Sequence, residues 1–131
     1  MKELEYPFDA AYIIKKRKSL KKALLADGTS RIRKKIAVFG GSTTSDIVKT
    51  LELFLLDAGI EPEFYESEYA QYFQDAMFPD ETLLSFKPDI VFIHTTNRNV
   101  TDWPEMTDTT EQIDEKLHTE INRFTAMWKS I

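Results

Sequence analysis

The sequence of 131 residues contains no cysteine and only two histidines, His94 and His118. The absence of cysteine excludes disulfides and thiolate catalysis and is typical of a cytoplasmic protein. Two histidines are too few for a histidine-based metal site, so we predict no metal in this segment. No apolar run approaches the roughly 20 residues that cross a bilayer, and residues 1–7 lack the apolar core of a signal peptide. We therefore predict no membrane partner.

Charge is distributed unevenly along the chain. Residues 1–35 carry 11 Lys/Arg and 4 Asp/Glu, a balance of +7, whereas residues 36–131 carry 6 and 18, a balance of −12, which together give −5. The basic N-terminal region can dock on the acidic body of its own chain, or it can bind an anionic partner such as a phosphorylated carrier. Because the acidic body would repel phosphates, we predict no nucleic-acid partner.

The first half of the chain alternates helix and strand. Residues 9–26 have helical spacing and end at Asp27-Gly28. The apolar residues 36–39 predict a strand, two glycines predict a tight turn, and a helix follows over about 45–58. Residues 62–66 predict a second, short strand near a sheet edge. Strand, helix and strand in this order predict a parallel pair with a right-handed crossover.

The second half contains the clearest strand of the sequence. Residues 89–93 begin with Asp89 and continue with four apolar residues, which predicts a central strand covered on both faces. Before it, the aromatic-rich residues 67–78 either pack over the sheet end or form a pocket wall. Pro79 is expected in the first turn of a short helix. A last helix is predicted over about 110–130, with an apolar stripe of Ile113, Leu117, Ile121, Phe124 and Trp128.

These elements predict an α/β fold with three layers, α/β/α, around a parallel sheet of the flavodoxin-like or SGNH-hydrolase-like type. Only three strands can be counted, which is few for such a fold, and the last helix should lead to another parallel strand. We therefore predict an incomplete or N-terminal piece. It comprises a basic helical arm at residues 1–33 and an α/β domain at residues 34–131.

The candidate site follows the first strand. Gly41, Ser42, Thr43 and Thr44 occupy the turn into a helix, where free N–H groups and the helix dipole attract anions. Ser42 can cap the helix, bind a ligand or act as a nucleophile. The hydroxyl-rich turn also permits a flavodoxin-like nucleotide or flavin pocket, although no dinucleotide fingerprint is present.

The loop after the third strand supplies the remaining candidates, because sites in parallel sheets form beyond the C-terminal strand ends. His94 is the local candidate for a base, but it can equally bond a backbone carbonyl. Asn97 and Arg98 would offer amide and guanidinium contacts to a carboxylate or phosphate. We expect the hydroxyl of Ser42 and the amide of Asn97 to converge on one cleft.

Three segments resemble the N-terminal, SGNH-hydrolase-like domain of FkbH-like proteins: Phe39–Thr44, Gly59–Glu66 and Phe86–Phe92. The resemblance implies a HAD-type phosphatase-like domain beyond Ile131, in an enzyme that places a phosphoglycerate-derived glyceryl group on an acyl carrier protein. The Asp-x-Asp motif of the HAD domain is absent here. Magnesium is therefore expected only in that further domain, and no cofactor is expected in this segment.

Residue by residue, the resemblance is partial. Ser42 matches the nucleophile and Asn97 matches the asparagine of the third block, but Gly41 stands where an aspartate is usual. The second-block glycine has no counterpart, although Ala70 stands near its place, and the Asp-x-x-His pair is missing. The resemblance implies a binding or accessory module for an acyl or glyceryl group on the phosphopantetheine arm of an acyl carrier protein, inactive alone. The alternative is part of a serine esterase or acyltransferase with Ser42 as nucleophile and its base downstream.

Overall fold

The computed structural model describes residues 1–131. Its elements, in chain order, are a 3-10 turn (Lys2–Leu4), α1 (Ala10–Ala26), β1 (Ile32–Gly40), α2 (Ser45–Asp57), β2 (Ile60–Glu66), α3 (Tyr72–Met77), α4 (Glu81–Phe86), β3 (Ile90–His94), a second 3-10 turn (Asn97–Asn99) and α5 (Thr110–Ser130). None of the helices combines the length and apolar character needed to cross a membrane.

Local signals in the sequence set several helix ends. Asp9 accepts a hydrogen bond from the Tyr12 N–H and begins α1, while Gly28 follows the helix with φ +72°. Thr109 and Gln112 form a capping box at the start of α5. The cap of α4 is Asp80, which accepts from the Leu83 N–H. Pro79 therefore lies before that helix, and its prediction in the first turn was wrong.

The sheet contains three parallel strands in the order β2-β1-β3. The central strand is therefore β1, and the prediction that β3 is central and covered on both faces was wrong. β3 pairs only with β1, and side chains alternate between the two faces of a strand. Val91 packs into the core, whereas Ile90 and Phe92 on the other face remain 49% and 40% exposed.

Helices lie on both sides of the sheet, so the predicted three-layer α/β fold is confirmed. On one side, Ala37 and Phe39 of β1 pack with residues of α3, α4 and α5: Tyr72, Ala76, Leu83 and Met127. On the other side, α2 packs along β2 and carries α1 on its outer surface. The connection from β1 to β2 and the connection from β2 back past β1 to β3 run in opposite directions along the sheet. Two crossovers of the same, right-handed sense therefore place their helices on opposite faces.

The basic arm packs against α2 through a core of its own, formed by Leu4, Ile13, Leu20, Leu24, Leu53 and Leu56. Two ion pairs join the helices: Arg17 lies 2.7 Å from Asp46, and Lys21 lies 2.7 Å from Glu52. Part of the N-terminal positive charge is thus used within the chain. Four lysines of α1 form no ion pair, namely Lys15, Lys16, Lys18 and Lys22.

The buried residues of α5 differ from the apolar stripe seen in its sequence. Met127 is fully buried and Glu120 is only 7% exposed. By contrast, Leu117, Ile121 and Trp128 remain more than half exposed. The stripe therefore turns mostly outward, beside the line of residues that contacts the core.

Candidate functional site

The turn after β1 and the loop after β3 meet at one corner of the molecule. Because β1 and β3 pair in parallel, their C-terminal ends lie side by side. The Gly41 N–H donates to the His94 carbonyl at 2.8 Å, and the Asn99 side-chain NH₂ donates to the Gly41 carbonyl at 2.9 Å. The two segments are therefore joined directly, and the asparagine that contacts the turn is Asn99. We call the turn at residues 41–44, together with the loop at residues 95–99, the Ser42 corner.

Gly41 is required by the close approach of Asn99. A Cβ atom at position 41 would lie 2.3 Å from Oδ1 of Asn99, far inside contact distance. Oδ1 of Asn99 also accepts from the Thr96 N–H at 2.8 Å, within a capping box of the 3-10 turn. Any larger residue at position 41 would displace the Asn99 side chain.

The N-terminus of α2 has free backbone donors. No N–H group of residues 42–47 donates a hydrogen bond within the protein. Thr44 occupies the cap position, but its hydroxyl donates to Glu66 at 2.7 Å and leaves these N–H groups uncapped. Free donors at the positive end of a helix of 13 residues form a place where an anion or a developing oxyanion is stabilised.

The last residue of β2 and the residue after it form hydrogen bonds with the end of β1 and the turn that follows it. The buried Ser67 accepts a hydrogen bond from the Gly40 N–H at 3.0 Å, and its own N–H donates to the Val38 carbonyl at 2.9 Å. Thr44 is only 2% exposed. Ser67 and Glu66 thus tie the turn to the neighbouring strand. We did not predict either residue, because their contact with the turn depends on strand pairing.

The remaining predicted side chains have no hydrogen-bond partner in the protein. Ser42 is half-buried, while Thr43, Asn97 and Arg98 are exposed. The His94 imidazole stacks on Phe92, with ring centroids 6.4 Å apart, and makes no hydrogen bond to Ser42. The corner therefore offers a hydroxyl and backbone donors, and no hydrogen bond joins a base to that hydroxyl. The catalytic and binding roles of these residues stay predictions.

A buried charge network supports the loop from behind. Arg123 on α5 donates to the Asn99 carbonyl at 2.6 Å, to the Tyr72 hydroxyl at 3.1 Å and to Glu120 at 2.8 Å. Glu120 in turn accepts from the Thr101 N–H at 3.2 Å. The hydrogen bonds from Arg123 and Thr101 lower the pKa of Glu120 to about 2. The sequence signal for this network was the spacing of an acid and an arginine three positions apart on α5.

The loop after β2 contains one residue in a left-handed backbone conformation. Ala70, in the loop after β2, has φ +60°, a left-handed conformation that glycine adopts at lower cost. The residue is exposed. Its backbone thus has a conformation that favours glycine, although an alanine occupies the position.

The chemistry available at the Ser42 corner is that of anion and carbonyl recognition. Backbone N–H groups, two free hydroxyls, one amide and one guanidinium can donate to a carboxylate, phosphate or carbonyl oxygen. No group of three or more histidine, aspartate or glutamate side chains is placed to hold a metal ion.

Comparisons with known proteins give one informative similarity. No known family model matches the sequence, and no curated protein matches it. Among solved structures, the fold is similar to the N-terminal part of the protein BF1531 from Bacteroides fragilis, which contains a phosphatase domain and was determined with Mg. The TM-score is 0.62 at 19% identity, over 85% of this chain and 29% of that chain. This chain is therefore similar in fold to less than a third of a longer protein.

Proposed function

We propose that this chain is the binding module of an FkbH-like protein. It holds an acyl or glyceryl group carried on the phosphopantetheine arm of an acyl carrier protein and presents that group to a HAD-type phosphatase domain. The observation that carries the proposal is the row of free N–H groups at residues 42–47 beside unpartnered Ser42 and Arg98. The fold similarity to a protein with a phosphatase domain and the three resembling segments support it. The absence of cysteine agrees with a cytoplasmic location.

The geometry suggests how the group is held. A carboxylate or thioester oxygen at the start of α2 accepts from the free N–H groups, and the helix dipole favours its negative charge. Arg98 adds a charge-assisted hydrogen bond from the loop side, and the Thr43 hydroxyl adds a neutral one. Because Asn99 joins the loop to the turn, both sets of donors stay at a fixed separation.

Titration followed by amide NMR tests this binding. We expect glycerate, 3-phosphoglycerate and glyceryl-pantetheine, added separately, to shift the amide signals of residues 42–47. Arg98→Ala should weaken binding about tenfold, the loss of one charge-assisted hydrogen bond. Arg33→Ala is the matched control, since Arg33 is also exposed but lies near the N-terminal end of β1. Unchanged amide signals at millimolar concentrations of all three compounds would refute the binding module.

The second candidate is a serine esterase or acyltransferase of the SGNH type. Its supporting observation is that the Ser42 hydroxyl is free and adjoins donors suited to an oxyanion. A base from outside residues 1–131 would then have to remove the proton of Ser42. Labelling with a fluorophosphonate probe separates the two candidates. Labelling that Ser42→Ala abolishes and Ser45→Ala preserves supports the esterase, and absence of labelling supports the binding module.

A further inference from the structure

The outward side of α5 forms an apolar surface that nothing in the chain covers. We call it the α5 face. Its members are large apolar side chains that are 38–61% exposed: Trp103, Ile113, Leu117, Ile121 and Trp128. Trp103 stands on the loop before α5 and helps enclose a groove of about 550 Å³ along the helix. The groove also includes Thr95 and Val100, so the face borders the end of β3.

The size of the α5 face is that of a protein interface. From these exposed fractions we estimate roughly 600 Å² of contiguous apolar area, at the upper end of what a soluble monomer shows. A stable interface of standard size buries about 800 Å² on each partner, including a polar rim. The α5 face therefore supplies the apolar part of such an interface without any rearrangement.

The charges along α5 favour one particular partner. Residues 110–120 carry four acids and one lysine, a net −3, whereas residues 121–131 carry two bases and no acid, a net +2. Glu120 pairs with Arg123 and Lys116 pairs with Asp108 within the chain. The charges that form no ion pair within the chain are therefore three acids of the first half, Glu111, Asp114 and Glu115, and Lys129 in the second half. If a second α5 lies antiparallel across the first, the acidic half of each helix faces the basic half of the other. A twofold axis near Ile121, close to the middle of the stripe, gives this arrangement and brings Lys129 of each copy near Asp114 of the other.

We propose that the α5 face is the interface of a twofold homodimer in which two copies of α5 pack antiparallel. The occupant of the groove is thus the stripe of a second copy. The Trp128 side chain of one copy meets the region of Ile113 and Asp114 in the other, and Trp103 covers the flank. This arrangement leaves the Ser42 corner of each copy open, because Ser42, Thr43 and Arg98 are not among the groove residues.

Molar mass in solution tests the proposal directly. Light scattering on the eluting protein, from about 5 to about 200 µM, should give twice the 15.2 kDa of one chain. The double variant Leu117→Asp/Ile121→Asp should be monomeric over the same range, since both residues are exposed and charge repels charge across the axis. Leu25→Asp is the control, because Leu25 is a 52% exposed leucine on α1 and should leave the dimer intact.

Two further readouts locate the interface. The chain has only two tryptophans, Trp103 and Trp128, and both line the groove. Tryptophan emission should therefore shift to longer wavelength on dilution of the unmodified protein, and it should not change with concentration in the double variant. Lys129→Glu should raise the dissociation constant of the dimer by about tenfold. Adding Asp114→Lys to that variant should restore most of the lost affinity.

Other outcomes would overturn the homodimer. A monomeric unmodified protein at about 200 µM would assign the face to a different polypeptide, such as another domain. Species larger than a dimer would exclude a closed twofold contact. A dimer that survives the double variant would place the interface elsewhere, and circular dichroism of that variant confirms that it is folded. None of these measurements involves a ligand, so their failure is distinguishable from failure of the binding module.

Discussion

The two long helices, α1 and α5, use their apolar residues in opposite ways. The sequence of α1 carries five lysines among 17 residues, yet Ile13, Leu20 and Leu24 are almost completely buried against α2. The sequence of α5 has the clearer apolar stripe, yet Leu117 and Ile121 remain more than half exposed. What α5 buries instead is one methionine and one glutamate. An apolar stripe therefore predicts that a helix needs a partner, without identifying the partner.

The difference also separates two ways of holding a helix in place. α1 is held by side-chain packing in its own apolar core and by two ion pairs at the surface. α5 is held by Met127 in the core and by the network of Arg123 and Glu120, which reaches the Ser42 corner through Asn99. We therefore expect apolar truncations to damage the α1 region most. Changes in charge and in the backbone should damage the α5 region most.

The largest contrast is expected between two leucine truncations. Leu24→Ala removes a side chain that is 2% exposed and should lower the free energy of unfolding by about 3 kcal/mol, because a cavity remains in the core. Leu117→Ala removes a side chain that is 55% exposed and should cost less than about 1 kcal/mol in the monomer. Urea unfolding followed by circular dichroism, at a concentration where the protein is monomeric, measures both. Equal losses of unfolding free energy in the two variants would contradict the different burial of α1 and α5.

Glu120→Gln is expected to have an effect nearly as large, and it has a pH signature. The Glu120 carboxylate of the unmodified protein stabilises the fold at pH values above its ordinary pKa of 4.5. This contribution is lost as the pH falls toward the native pKa of about 2. The linked contribution is about 3 kcal/mol at neutral pH as an upper value. The unmodified protein and Glu120→Gln should therefore differ in stability at pH 7 and converge near pH 2. A difference that stays constant between these pH values would contradict the network.

Gly41→Ala tests the link between the α5 region and the Ser42 corner. The new Cβ would overlap the Asn99 side chain, and we expect a loss of about 2 kcal/mol. Because the obstacle is that side chain, Gly41→Ala should cost clearly less in a chain that already carries Asn99→Ala. A double-mutant cycle of unfolding free energies measures this coupling. Additive losses would mean that Asn99 does not limit position 41.

How far the sequence predicts this structure depends on the range of the interaction. The caps at Asp9 and Thr109 and the turn at Gly28 follow from residues within a few positions, and the structure confirms them. The parallel pairing of β1 with β2 follows from the crossover rule and is also confirmed. The choice of central strand could not be predicted, because β1 and β3 each contain a run of four apolar residues, 36–39 and 90–93, and their order depends on long-range pairing.

The candidate site shows the same limit. The turn with Gly41 and Ser42 was visible in the sequence, and its position next to the loop after β3 is confirmed. We expected the Asn97 amide to share a cleft with Ser42, but the residue that joins the loop to the turn is Asn99, and the Asn97 side chain is exposed without a hydrogen bond. The path of the 3-10 turn decides which asparagine meets the turn, and a pattern of residue types does not give that path. Arg123 was also missed, because its contact with the Asn99 carbonyl connects positions 24 residues apart.

The smallest expected effects come from two alanine-to-glycine substitutions, one in the loop before α3 and one in α1. Ala70→Gly, in the loop before α3, should raise the free energy of unfolding by about 1 kcal/mol, because glycine adopts φ +60° without steric cost. Ala23→Gly, at an exposed position in α1, should lower it by about 1 kcal/mol, because glycine is a poor helix former. Opposite signs would show that the loop before α3 stores backbone strain that α1 lacks. If both substitutions destabilise the protein, Ala70 is not strained.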